Sequence, residues 1–174
     1  MTSKRFTRGT AASSREESLS DGLNLINKRY AGGLNLFPGV HFLVDEDEGI
    51  PFMAQASALD EGYFQKILPV VIDFNLTEAN FNILQGRLWI GKPLKPITSF
   101  KTIDSLRLPS EVIVNLQNIT HEDLAELNPK IGFIQKDYGF EYKSYIEWSI
   151  LLGVSAPTRE QLTQLEGKPY YLTK

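Results

Sequence analysis

From residue 34 onward, apolar side chains recur at every second position or in short runs bounded by Gly and Pro, a pattern that predicts strands. Val40 to Val44 alternates as a strand, Asp45-Glu46-Asp47-Glu48-Gly49 reads as a solvated turn, and Ile50 to Ala54 reads as the returning strand of a hairpin. Ile67 to Phe74 is a run of buried-strand type, with Pro69 placing it at an edge or a bulge. Arg87 to Ile90, Glu111 to Leu116 and Ile131 to Ile134 are expected as further strands, with Val112, Val114 and Leu116 on one side of the second. Tyr138 to Leu152 carries the strongest alternation: seven of its eight even positions are apolar or aromatic. That predicts a long half-buried strand or a bent pair, in competition with a helix over Ser144 to Leu152 that has Tyr145, Ser149 and Leu152 on one face.

Three segments carry helix signals instead. Thr77 to Gln85 has Thr77 as its cap, Phe81 and Leu84 on one face, and Gly86 at its end. Thr120 caps His121 to Leu127, where three acidic residues favour the positive end of the helix and Asn128-Pro129 stops it. Thr158 to Leu165 has Gln161 at the capping-box position. These elements do not alternate as βαβ units. The expected fold is therefore mainly β (or α+β), an antiparallel sandwich or barrel-like body with three or four short peripheral helices.

Residues 1–22 break the pattern, because apart from Met1 they carry just two large apolar side chains, Phe6 and Leu19. Ordering a backbone costs about 1–2 kcal/mol per residue, and two such side chains do not offset that. The expectation is an extended polar and basic N-terminal arm over residues 1–30 and a single β-rich domain over residues 31–174.

Composition narrows the choice of chemistry. The chain has 174 residues, 42% of them hydrophobic and 22% charged, which is an ordinary globular balance. It has no Cys and two His, which removes disulfides, thiolate metal sites and cysteine nucleophiles and makes a multi-histidine metal site unexpected. Met1 to Arg8 is basic but leads into no apolar run, so the expectation is cytoplasmic synthesis without a signal peptide, with no membrane partner. Charge is segregated. Residues 1–30 carry six basic and three acidic side chains, for +3, and the whole chain is −3, which leaves −6 on the remainder. Residues 31–65 contain no Lys or Arg but six acids, so this stretch and the arm are electrostatic complements.

No catalytic motif emerges. His121-Glu122 lacks the second His of a zincin pattern, and His41, four residues before Asp45, is the one His–Asp couple that could orient a base. The four carboxylates of Asp45 to Glu48 are oxygen-rich, but their spacing does not fit an EF-hand loop. Phosphate-cradling and nucleophile-elbow sequences are missing too. Basic residues beside aromatics occur in the arm (Lys4, Arg5, Phe6, Arg8) and again where Lys92, Lys95 and Lys101 accompany Trp89 and Phe100. The expectations are therefore no catalytic residues, no cofactor and no metal.

What remains favours assembly. The arm needs a surface to order it, and 10 Phe, 7 Tyr and 2 Trp supply aromatic interface material. The stretch His41-Phe42-Leu43-Val44, the acidic turn and Ile50 to Ala58-Leu59 is similar, over this stretch alone, to the first hairpin of tail-tube proteins. The similarity covers about 20 of the 174 residues, the rest shows no further match, and no family is assigned on it. The resulting expectation is a non-enzymatic assembly subunit, such as a head, neck or tail protein of a tailed-phage virion, in homo- or hetero-oligomers with other protein subunits. Lys4, Arg5, Phe6, Arg8, Arg15, Asp45, Glu46, Asp47, Glu48, Tyr170 and Tyr171 are the expected partner-binding residues. A single-stranded nucleic-acid-binding protein and a small carboxylate-based enzyme are the alternatives.

Overall fold

The computed structural model describes residues 3–12, 40–45, 51–65, 68–91, 93–116, 119–133, 138, 141–153, 158 and 160. The fold is mixed α/β and β-rich. The chain divides into two compact units, the first formed by Met1–Thr7, Asp21–Glu48 and Asp73–Pro129, the second by Arg8–Ser20, Gly49–Ile72 and Lys130–Lys174.

In the first unit the alternation seen in the sequence becomes a sheet. Its strands are β1 (Ser3–Ala12, to Thr7), β2 (Val40–Asp45), β3 (Leu68–Thr77, from Asp73), β4 (Leu88–Ile90), β5 (Lys95–Pro96) and β6 (Ser110–Val114), in the order β5-β4-β6-β2-β1-β3. The pairs β1–β2, β2–β6, β6–β4 and β4–β5 are antiparallel, as expected, and the sheet is open rather than closed into a barrel. The register opposes Phe6 to Val44, Phe42 to Val112 and Leu88 to Val114, so one face collects the apolar positions, and all of these are buried. Phe74 completes that face. Its ring stacks on Phe6 at 5.0 Å between centroids and meets Phe42 edge-on at 5.3 Å. Aromatic pairs in these geometries contribute about 0.5–1.5 kcal/mol beyond the area they bury.

The helical elements of this unit start where the sequence supplies caps. Asn80 N–H donates to Thr77 Oγ1 (3.2 Å) and Thr77 N–H to Asn80 Oδ1 (2.7 Å), which closes a turn ahead of a 3₁₀ element over Phe81–Leu84; its N-cap is Asn80, without a side-chain cap bond, and the α-helix expected over Thr77 to Gln85 does not form. Helix α2 (Phe100–Asp104) is capped by Ser99, and Phe100 packs edge-on against Phe81 at 6.3 Å. Helix α3 (His121–Leu127) begins as expected, with Asp123 N–H donating to Thr120 Oγ1 at 3.1 Å, and ends at Asn128 in the left-handed region.

The second unit contains helix α1 (Phe52–Gln65), the remainder of β1 and β3, strand β7 (Lys130–Phe133) and helix α4 (Tyr142–Leu152). The strand expected over Ile50 to Ala54 is instead the start of α1. Gln55 N–H donates to the Pro51 carbonyl at 2.9 Å, which closes the first helical turn. Alanine-rich sequence explains the outcome, because Ala54, Ala56 and Ala58 carry the highest helix propensity. The returning strand of the hairpin that resembled a tail tube is therefore replaced by a helix. α1 and α4 pack on each other around Ala54, Ala56, Ala58, Leu59, Val71 and Tyr145, with Tyr138, Tyr142, Ile146 and Trp148 at the margin.

Two glycines allow close approach in this unit. A Cβ on Gly9 would collide with the backbone of Ala54 and Ala58, so α1 lies directly on β1 at this point. A Cβ on Gly132 would strike the Tyr138 ring, over which Lys130 Nζ sits 4.3 Å from the centroid. Tyr142 to Leu152 is a helix, so the strand expected there is corrected in favour of its competitor. Burial follows helical spacing: Tyr145 and Ser149 are inside, four residues apart, and Ser149 Oγ donates to the Tyr145 carbonyl at 2.8 Å. Apart from Thr158 and Glu160, the helix expected over Thr158 to Leu165 lies outside the described residues.

Candidate functional site

The N-terminal segment shows how the expected partner-binding residues are actually used. Residues 3–12 form a strand with β2 on one side and β3 on the other, not an arm awaiting a surface. Partners on both edges satisfy its backbone groups, which compensates for its poverty in apolar side chains. Phe6 is fully buried in the aromatic cluster, and Arg5 and Arg8 are buried as well. Arg5 grips Asp73 as a fork, with Nε on Oδ1 at 3.1 Å and Nη2 on Oδ2 at 2.9 Å. Lys4 Nζ reaches Asp104 at 3.9 Å. Arg5, Phe6 and Arg8, expected to bind a partner, are thus packed within their own chain. In the register of β1 against β2, Arg5 is opposite Asp45. Arg15, Glu46, Asp47, Glu48, Tyr170 and Tyr171 lie outside the described residues.

Two surfaces remain as candidates. On the outer face of the first unit's sheet, the residues alternating with the core positions are His41, Leu43, Glu111, Ile113 and Trp89. His41 and Glu111 are diagonal neighbours across β2–β6 and share a contact of 2.7 Å from Nδ1 to Oε1. They stand at an open groove of about 500 Å³, whose apolar lining comes from Ile90, Pro93, Leu94 and Ile113. His41 thus has Glu111, on a neighbouring strand, as a contact. Glu111 is 64% exposed, so water screens its carboxylate, unlike the buried acid that orients a catalytic imidazole. Ser110 also lines the groove, but its hydroxyl donates to the Arg107 carbonyl at 2.6 Å and its proton is directed away from the imidazole. Among the described residues, no group of three or more His, Asp or Glu side chains is placed to hold a metal ion.

The other surface is the last turn of α4. Ile150 and Leu151 are 74% and 73% exposed, with the exposed Glu147 and Lys143 one and two turns earlier. The period-two reading misses this pair because it places Ile150 with the inward-facing even positions. The helical reading finds it, since Lys143, Glu147, Ile150 and Leu151 recur at three- and four-residue spacing opposite Tyr145 and Ser149. No described helix is long and apolar enough to cross a membrane.

Comparison with family models, with curated proteins and with solved structures returns no match to this chain.

Proposed function

We propose that the chain is a non-enzymatic subunit of a larger protein assembly, which it joins through apolar side chains at the end of α4. The observation that carries this reading is the adjacent pair Ile150 and Leu151, both about three-quarters exposed on a helix whose Tyr142, Tyr145, Ile146 and Trp148 pack into the core. Fully covering an aliphatic side chain of this size returns about 1.5–3 kcal/mol, so a neighbour seated on the pair gains stability that the isolated chain forgoes. A virion head, neck or tail is the assembly proposed. That setting rests on the sequence reading of a β-rich, aromatic-rich chain without a catalytic motif, and the hairpin likeness no longer supports it. Of the stacking groups that the single-stranded nucleic-acid alternative would use, Phe6 and Phe100 are buried, and Trp89 stays partly exposed on the outer sheet face.

The test is light scattering coupled to size exclusion on the full chain over a range of concentrations, alongside the Ile150→Glu/Leu151→Glu variant. The reading expects a concentration-dependent oligomer that the double substitution reduces to monomer. A chain that stays monomeric at the highest concentration, with the variant eluting identically, overturns it.

A further inference from the structure

No further inference is drawn: the strongest candidate, the open groove over the outer sheet face of the first unit at His41, Glu111 and Ile113, has nothing in the structure to show what covers it.

Discussion

The first unit fills its interior with large rings and β-branched side chains, among them Phe6, Phe42, Phe74, Val112 and Val114. The second unit sets three alanines of α1 against Tyr145 and lays a helix backbone on Gly9. These are two solutions to the same problem. Strands keep a sheet face apart from its covering layer, so large side chains are needed to fill the gap. Where α1 approaches β1 at Gly9, the backbones are nearly in contact and only small residues fit. The first arrangement is sensitive to losing atoms, the second to gaining them.

Phe6→Ala tests the first half of that contrast and carries the largest expected effect. It removes a ring that stacks on Phe74 at 5.0 Å and lies 6.3 Å from Phe42. Large-to-small changes at such sites cost about 3–5 kcal/mol, and urea unfolding should show a loss in that range. If residues 3–12 were instead a detached arm, the substitution would leave the midpoint unchanged, and the placement of β1 as a buried strand would be refuted.

Gly9→Val is the converse test. The added atoms meet the carbonyl of Ala54 and the amide of Ala58, and backbone cannot move aside as a flexible side chain can. An overpacking cost of about 3 kcal/mol is expected. Hydrogen exchange should report it as lost protection in α1 and α4, with the paired amides of β2 and β6 less affected. Uniform loss across both regions would mean that the two cores unfold as one and that the contrast has no energetic counterpart.

The Arg5–Asp73 pair separates burial from attraction. Their side chains are 10% and 12% exposed, so each charge has given up most of its hydration. Asp73→Ala leaves the guanidinium without this counter-charge, and about 2–3 kcal/mol of stability should be lost. The Arg5→Met/Asp73→Leu variant removes both charges and should recover most of that loss. A double variant as unstable as the single one would mean that the fork itself, rather than the stranded charge, holds β1 against β3.

The same contrast explains which parts of the molecule are legible in the sequence. Alternation around Phe42, Val112 and Val114 reports a sheet face directly, because period two and burial coincide there. The cap at Thr120 is equally readable, since a short-range hydrogen bond needs only local sequence. Three features are not. Residues 3–12 look like an arm because their stability comes from the strands on either side, and a local count of apolar residues does not register those. The start of Phe52 to Gln65 reads as a short strand because alanines carry little hydrophobic signal, although they are what close helix packing needs. Tyr138 to Leu152 places bulky residues at even positions, yet among its described residues the buried ones are Tyr145 and Ser149, both odd and four apart as in a helix. Of the candidate surfaces, the partnership of His41 with Glu111 depends on the register of β2 against β6, which nothing local encodes.

The smallest expected change in stability belongs to the surface on which the functional reading rests. Ile150 and Leu151 are both largely exposed, and replacing both by Glu removes little buried contact. Surface substitutions of this kind usually alter stability by less than about 0.5 kcal/mol, and thermal unfolding of the monomer should show no more than that. Association should respond far more strongly, because two carboxylates would have to lose their water on entering an apolar interface. The two measurements together separate a docking surface from a packing defect. A variant that loses association and keeps its unfolding midpoint places Ile150 and Leu151 outside the tight packing around Tyr145. A variant that unfolds early makes the end of α4 part of that core, and the docking surface would have to be sought elsewhere.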